Sequence, residues 1–203
     1  MKNKTLYILR HGQTDLNKLG MVQGRGVDAS LNETGRAQAE KAFRHLMDVP
    51  FDVVFSSELK RSQETIQQFV DMGLPHHKHA GLDEISWGSQ EGVQATLEAK
   101  NLYAETVKGW RNGDLHLNVG GGESPLEVMD RQKEAMDVIL NVDAEYILIC
   151  MHGRAMRVLL SWLLNYPLNY MDGFPHDNCA YYKLISQGDG FYIDEFNARG
   201  HLN

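Results

Sequence analysis

The sequence is poor in cysteine and in proline, with two Cys and five Pro among its 203 residues. Cys150 and Cys179 belong to no CxxC pair and to no other spacing typical of zinc sites. Two cysteines are also too few for the disulfide framework of a small secreted domain. We therefore expect a reduced, cytoplasmic protein. We also expect that it needs no metal ion and no other cofactor.

Positive charge and long apolar runs are also scarce. Lys and Arg number 20 against 27 Asp and Glu, for a formal net charge of -7, which disfavours nucleic acid and anionic membranes as partners. No apolar run approaches the roughly 20 residues of a membrane-spanning helix. The apolar run after Lys2 and Lys4 is too short for a signal peptide. An anionic ligand would therefore need a local pocket of basic side chains.

A short apolar run near the start of the sequence is followed at once by a guanidinium and an imidazole. Residues 5–9 (TLYIL) predict a buried strand, and Arg10, His11 and Gly12 come directly after it. In open α/β sheets, ligands bind beyond the carboxyl ends of the strands. A cation and an imidazole at such an end could hold a dianion against a nucleophile, although a histidine after a strand more often has a structural role.

A second histidine follows the most apolar of the predicted strands. Residues 146–151 (YILICM) predict a central strand, and His152 and Gly153 come next, at the predicted N-terminus of a helix. Helix N-termini bind anions through their free N–H groups. Arg154 follows this pair, and its position suggests a further contact to a phosphate or a carboxylate.

A basic and an acidic residue are placed near two further predicted strands. After the strand at 51–55, Ser57 is predicted to cap a helix with Arg61 in its first turn. The helix dipole would favour an acid there, so the arginine hints at a bound anion. Glu84 comes shortly after the segment 76–79, whose three histidines could indicate a metal site. No Asp or Glu is interleaved with them, so we predict a turn before a third strand, and their role stays open.

Two longer polar stretches are candidates for ligand binding. The loop 12–30 contains Asn17, Gln23 and Gly24, whose amide and backbone N–H groups could bind phosphate oxygens; a plain surface loop is the alternative. Residues 93–122 resemble an insertion that holds one helix. We expect this segment to lie over the end of the sheet as a lid.

The order and spacing of these groups resemble those of the histidine phosphatase superfamily, also called the phosphoglycerate mutase-like family, over nearly the whole chain. The matching blocks are residues 9–14 (LRHGQT), 31–35 (LNETG), 56–62 (SSELKRS), 84–92 (EISWGSQEG), 121–124 (GGES) and 152–153 (HG). The first block alone is a weak signal, but the set is highly specific. The resemblance implies an α/β fold over a single domain, 1–203. This fold is a three-layer α/β/α sandwich whose mostly parallel central sheet has an antiparallel edge.

The resemblance also implies a role for each catalytic side chain. His11 would be the nucleophile that forms a phosphohistidine, and Glu84 would be the proton donor. Arg10, Arg61 and His152 would hold the phosphoryl group. Guanidiniums suit this task because each offers a fork of donors to a pair of oxygens. No metal is required, since these basic side chains neutralise the charge.

Further residues would line the same pocket and bind a small phosphorylated substrate. They are Asn17, Gln23, Gly24, Gly153 and Arg154. The function that we expect is a phosphomonoesterase acting on a small phosphorylated metabolite. The alternative is a cofactor-dependent phosphoglycerate mutase, but such mutases usually carry a longer insertion before the second histidine. A catalytically silent binding module on the same fold is a third option, and the oligomeric state stays open, with a homodimer among the options.

Overall fold

The computed structural model describes residues 3–94 and 96–203, which form one six-stranded sheet with helices on both faces. The strands are β1 (Thr5–Arg10), β2 (Val53–Ser56), β3 (His76–Lys78), β4 (Tyr146–Met151), β5 (Tyr181–Gln187) and β6 (Gly190–Ala198). Their order across the sheet is β3-β2-β4-β1-β5-β6. The first four strands are parallel, whereas β5 and β6 are antiparallel to their neighbours. The predicted mostly parallel sheet with an antiparallel edge is confirmed.

Six α-helices lie within the part of the chain that the structure describes. They are α1 (Asp15–Lys18), α2 (Glu33–Leu46), α3 (Lys60–Asp71), α4 (Leu97–Arg111), α5 (Pro125–Asn141) and α6 (Gly153–Leu163). Short 3-10 helices are found at Ala80–Leu82, Gly88–Gln90, Leu168–Gly173 and Gly200–Leu202. None of the helices in these described residues is long and apolar enough to span a lipid bilayer.

The sheet buries both of its faces, which is why its central strands are almost entirely apolar. Successive side chains of a strand point to opposite faces. On one face the sheet packs against α2 and α3 in a first core, which includes Tyr7, Leu9, Ala42, Ile66, Phe69, Leu148 and Cys150. On the other face it packs against α5 and α6 in a second core, which includes Leu6, Ile8, Val128, Met136, Ile147, Ile149 and Leu159. The predicted three-layer α/β/α sandwich is confirmed.

The prediction of a turn at the histidine-rich segment is wrong, because residues 76–78 are themselves strand β3. Main-chain pairing with β2 places His76 opposite Val54, and the His76 ring Nε2 lies 2.8 Å from Ser56 Oγ. An edge strand needs no continuous apolar pattern, so three polar residues can form one. His79 follows the strand, and its Nδ1 accepts the Gly81 N–H at 2.9 Å.

The helix that the sequence predicts between residues 93 and 122 is α4. Its Val107 and Trp110 side chains belong to the second core. The opposite face of the helix is solvated, and Leu97 and Leu102 are 76% and 40% exposed. This segment is therefore anchored to the sandwich along one face only.

Candidate active site

The carboxyl ends of β1, β2 and β4 meet at one edge of the sheet. The His11 N–H donates to Met151 O at 3.0 Å, and the Ser57 N–H donates to Cys150 O at 3.2 Å. This pairing brings the residues that follow each strand together. The ring centroids of His11 and His152 are 5.0 Å apart, so two histidines that are far apart in sequence share one site.

His11 is buried, with only 3% of its surface exposed. Its Nδ1 lies 2.7 Å from Gly12 O. A carbonyl oxygen can only accept, so Nδ1 carries the proton and the lone pair is on Nε2. Burial, followed by the charges of Arg61 and Arg10, lowers the pKa of His11 well below its ordinary value. At neutral pH the ring is therefore uncharged and has a free lone pair on Nε2.

His152 is fixed at both ring nitrogens. The Arg61 Nε–H donates to His152 Nδ1 at 3.2 Å, and His152 Nε2 lies 2.7 Å from Ser57 Oγ. An arginine can only donate, so Nδ1 is the acceptor and Nε2 carries the proton. Burial, then the charge of Arg61, lowers the pKa of His152 well below its ordinary value. The imidazole is therefore neutral and held in one orientation.

The prediction that Ser57 caps α3 is wrong. Leu59 is the N-cap residue of that helix and makes no side-chain cap hydrogen bond. The Ser57 hydroxyl is instead occupied by His152 and by Ser62, whose Oγ lies 2.6 Å away. Ser62 Oγ in turn donates to Leu59 O at 2.8 Å. A sequence pattern that is typical of a helix cap thus serves to position the second histidine.

Arg10 and Arg61, which we call the floor arginines, are anchored by backbone carbonyls. Arg61 donates from Nη1 to Val27 O at 2.6 Å and from Nη2 to Gly24 O at 3.2 Å. Arg10 donates from Nη1 to His176 O at 3.1 Å. The buried Nε of Arg10 has no hydrogen-bond partner among the described residues. Donors with nothing to bind at a buried position suit an anion that arrives from outside.

Glu84 lies against the N-terminus of α6. Its carboxylate accepts hydrogen bonds from the backbone N–H groups of Arg154 at 3.1 Å, Ala155 at 2.8 Å and Ile85 at 3.0 Å. Its charge also reaches the floor arginines: burial lowers the pKa of both, and Glu84 opposes that shift. The predicted acid is thus held close to the predicted anion-binding groups.

The loop after β1 supplies the next wall of the site. Gln23 Oε1 accepts from Thr14 Oγ1 at 3.0 Å, whereas its buried Nε2 has no partner in the described part of the chain. Asn17 Oδ1 accepts the Thr14 N–H at 3.1 Å. A Cβ atom on Gly24 would lie 2.7 Å from the backbone oxygen of Ile85, which is too close for any residue but glycine unless the backbone shifts. Among the buried side-chain nitrogens and oxygens that have no partner in the described residues, those on Arg10 and Gln23 belong to predicted site residues.

The Arg154 side chain is held by residues of α4 and of the 3-10 helix Leu168–Gly173. Its Nη1 lies 2.6 Å from Asp172 Oδ1, its Nη2 donates to the Tyr103 hydroxyl at 2.8 Å, and its Cζ is 5.4 Å from the centroid of the Trp110 ring. The backbone of Arg154 is at the site, but its guanidinium is held by neighbouring side chains. Arg111 and Arg157 also bind Asp172, and we call these three arginines and Asp172 the Asp172 cluster.

Two residues of this edge were not predicted. Asn178 Nδ2 donates to His11 O at 2.9 Å, and a Cβ on Gly153 would lie 2.7 Å from Cε1 of the His176 ring. Burial, then the charge of Arg10, lowers the pKa of His176 to about 3. Both residues precede β5, and an antiparallel strand begins at the edge where its parallel neighbours end. The antiparallel direction of β5 is therefore the signal from which His176 and Asn178 could have been predicted.

The fold and the placement of these side chains define the phosphoglycerate mutase-like class of α/β proteins. A model of the histidine phosphatase superfamily (branch 1) matches residues 6–199, and the chain belongs to this family. Within the described residues, no group of three or more His, Cys, Asp or Glu side chains is arranged to bind a metal ion.

Similar proteins include both phosphatases and mutases. A probable 2-carboxy-D-arabinitol-1-phosphatase of Arabidopsis thaliana is 27% identical over 92% of this chain, which spans only 39% of that protein's length. A 2,3-bisphosphoglycerate-dependent phosphoglycerate mutase of Bradyrhizobium sp. (strain ORS 278) is 30% identical over 79% of this chain and 81% of its own. The crystal structure of the α-ribazole phosphatase from Shigella flexneri matches with a TM-score of 0.83 at 26% identity over 96% of each chain.

Proposed function

We propose that this chain is a phosphomonoesterase that hydrolyses a small phosphorylated metabolite through a phosphohistidine. The observation that carries the proposal is the state of His11, whose buried ring is uncharged and has its lone pair on Nε2. Such an imidazole is a competent nucleophile. The charges of Arg10 and Arg61 act on the same ring, so a phosphate dianion would be attracted to the position that Nε2 attacks.

In the first step, His11 Nε2 bonds to phosphorus while the bond between phosphorus and the ester oxygen breaks. Glu84 enters this step in its protonated form and gives its proton to the leaving oxygen, so that a neutral alcohol departs and a Glu84 carboxylate remains. Arg10 and Arg61 stabilise the charge on the equatorial oxygens, which is where phosphoryl transfer most needs stabilisation. His152 contributes by holding Arg61 in place, since its Nδ1 accepts the Arg61 Nε–H. Asn17, the Gln23–Gly24 backbone and the backbone at Gly153 would complete the phosphate pocket.

In the second step, a water molecule attacks the phosphohistidine. Glu84 takes back a proton from this water as the oxygen bonds to phosphorus and the bond between phosphorus and Nε2 breaks. Inorganic phosphate leaves, and both His11 and Glu84 return to their starting states. A single carboxyl group therefore serves as acid and then as base.

The proposal is tested by phosphate release from a panel of phosphorylated metabolites, with His11→Asn as the comparison. We expect the variant to lose turnover by at least about 10⁴-fold, because without the nucleophile no covalent intermediate forms. Labelling with a ³²P-phosphoester, quenched in alkaline detergent, should give a base-stable, acid-labile phosphoprotein in the parent and none in the variant. Turnover by His11→Asn at the parent rate would contradict the proposal.

The role of Glu84 has a separate test. Glu84→Gln should slow hydrolysis of an alkyl phosphate by about 10²- to 10⁴-fold, the usual range for a general acid. Hydrolysis of p-nitrophenyl phosphate should change much less, since its leaving group needs little protonation. The variant should keep the circular dichroism spectrum of the parent. If it then slowed both substrates equally, a group other than Glu84 would be the proton donor.

A phosphoglycerate mutase is the second candidate, favoured by the mutase relative that aligns with most of this chain. A mutase would return the phosphoryl group to the substrate instead of to water. Conversion of 3- to 2-phosphoglycerate, measured beside phosphate release, distinguishes the two.

We also propose that residues 93–122 act as a lid and that the chain forms a single domain. The single domain is supported by the one sheet that both cores share.

A further inference from the structure

A cavity of about 220 Å³ lies between the loop after α1, the 3-10 helix Gly88–Gln90 and α4. Most of its lining is apolar or aromatic. The side chains that form its wall are Val22, Trp87, Ala99, Tyr103 and Val119, with Gln90 and Lys100 as the polar members. Apolar cavities of about 150 Å³ hold a benzene molecule, so this one has room for a substituted six-membered ring.

Three of the residues that line the cavity are close in sequence, or hydrogen-bonded, to residues of the proposed phosphate pocket. Val22 precedes Gln23 in the loop, and Trp87 follows Glu84 by three residues. Tyr103 is joined to Arg154 through a 2.8 Å hydrogen bond from Nη2 to the hydroxyl. Trp87 and Tyr103 are themselves in contact, with ring centroids 5.4 Å apart. An ester whose phosphate lies by His11 would therefore direct its alcohol toward this wall.

The charges around the cavity argue against an acidic alcohol. Among the described residues that line the cavity, Lys100 is the one charged side chain, and it is exposed to solvent. Arg154 is the guanidinium joined to the wall through Tyr103, but it already binds Asp172 and Tyr103. A carboxylate placed here would lose water and gain no buried partner, which is costly. An apolar ring would instead be removed from water at no such cost.

A second groove continues the cavity outward. It shares Gln90 and Ala99 with the cavity and reaches Val93 and Leu102, which are 48% and 40% exposed. Exposed apolar side chains next to an apolar cavity extend the surface that an uncharged substrate could cover.

We propose that the preferred substrates are phosphate monoesters of uncharged alcohols that carry an apolar or aromatic ring, and that the ring occupies this cavity. The inference rests on the proposed function and names its substrate class. It separates this chain from an enzyme built for phosphoglycerate, whose alcohol side carries a carboxylate.

The test compares three substrates: 2-phenylethyl phosphate, ethyl phosphate and 3-phosphoglycerate. The first two have leaving alcohols of similar acidity, so their difference reports binding of the ring rather than chemistry. We expect kcat/KM for 2-phenylethyl phosphate to exceed that for each of the others by about tenfold to a hundredfold. A ratio to ethyl phosphate within about twofold, or a preference for 3-phosphoglycerate, would overturn the inference.

The location of the ring is tested by filling the cavity. Ala99→Phe should reduce the ratio of kcat/KM between 2-phenylethyl and ethyl phosphate by about tenfold, because the new ring takes the space of the substrate's ring. The matched control is Ala104→Phe on an exposed position of the same helix, which should leave the ratio unchanged. A ratio that responds equally to both variants, or to neither, would contradict the assignment of the cavity.

A binding measurement separates this inference from the proposed function. Calorimetric titration with 2-phenylethylphosphonate and ethylphosphonate needs no turnover. If no phosphoester is hydrolysed but the first phosphonate binds about tenfold more tightly, the proposed function fails and the cavity assignment stands. If hydrolysis occurs and the two phosphonates bind equally, the cavity assignment fails while the phosphatase proposal stands.

Discussion

Two sets of arginines in this protein are held in opposite ways. The floor arginines, Arg10 and Arg61, are anchored on backbone carbonyls, and in the described part of the chain neither forms an ion pair with a carboxylate. The arginines of the Asp172 cluster share one carboxylate, at 3.0 Å from Arg111, 2.6 Å from Arg154 and 2.7 Å from Arg157. A carbonyl fixes a guanidinium without neutralising it, whereas a carboxylate neutralises it as well.

The two kinds of partner decide which positive charge is available to a ligand. At the floor, two positive charges remain for an incoming phosphate, although burial lowers the pKa of both groups. In the Asp172 cluster, the positive charge serves to fasten α4 and α6 to the 3-10 helix Leu168–Gly173. We therefore expect floor variants to affect the chemistry of every substrate and cluster variants to affect how particular substrates bind.

The sharpest test exchanges one arginine of each set for glutamine. Arg61→Gln should lower kcat/KM for every phosphoester by about 10²- to 10³-fold, the cost of removing one preorganised donor to the transition state. Arg157→Gln, which also removes a backbone hydrogen bond to Phe174 O, should cost less than about threefold. Steady-state kinetics measure kcat/KM of the parent and of both variants, and thermal unfolding checks that each variant is folded. Similar losses of kcat/KM in the two variants would contradict the distinction between the floor arginines and the Asp172 cluster.

A smaller effect is expected from the hydroxyl that holds the second histidine. Ser57→Ala should lower kcat about tenfold with little change in KM, because His152 loses the acceptor of its Nε2–H and one buried hydrogen bond is worth roughly 1 kcal/mol. The direct readout is the slowly exchanging Nε2 proton of His152 by NMR, which should disappear.

Two variants control for a merely structural effect of this change. Ser57→Thr keeps the hydroxyl and should restore most of the rate. Ser56→Ala removes the adjacent buried hydroxyl, which bonds to His76 and not to His152, and should leave kcat unchanged. If it lowered kcat as much as Ser57→Ala, the positioning role of Ser57 would be refuted.

The smallest kinetic effect is expected at Asp172. Asp172→Asn should raise KM a few-fold with kcat unchanged and lower the free energy of unfolding by about 1–3 kcal/mol, the range for a charged hydrogen bond left unmade. Urea titration measures the second quantity, and hydrogen exchange in α4 should become faster. A fall in kcat for all substrates would show that Asp172 affects the chemical step, as we expect of the floor arginines, and not substrate binding.

The same variant has a pH signature. Burial alone would raise the pKa of Asp172, but Arg154 and Arg157 more than offset it, and the pKa lies below its ordinary value. A lowered carboxyl pKa stabilises the fold above the unfolded value of about 3.9 and loses that effect as pH falls through the folded value. The difference in unfolding free energy between parent and Asp172→Asn should therefore be constant above about pH 5 and shrink below pH 4.

The sequence predicted the parts of the fold and site that depend on local pattern. The apolar runs ending at Arg10 and His152 became β1 and β4 because buried parallel strands need such runs. The strand at residues 76–78 could not be recognised, since main-chain pairing with β2 forms it. The role of Ser57 depends on His152, which is distant in sequence, and a capping pattern does not encode that contact.

The side chain of Arg154 shows a further limit of sequence reasoning. Its position after His152 predicts a ligand contact, and its backbone does lie beside Glu84. Where its guanidinium points is decided by Tyr103 and Asp172, which come from two other segments of the chain. His176 and Asn178 were missed for a similar reason, because only the antiparallel direction of β5 brings them to the site.

The carbonyl anchors of the floor arginines also bear on how a reaction cycle would end. Inorganic phosphate presents the same kind of oxygens as the ester, and among the described residues no carboxylate forms an ion pair with these guanidiniums that could replace the phosphate when it leaves. The product should therefore compete with the substrate, and rates measured in phosphate buffer should understate the capacity of the enzyme. An ester whose ring also fills the neighbouring apolar cavity would make contacts that inorganic phosphate cannot make. Such an ester would bind more tightly than the product and could displace it.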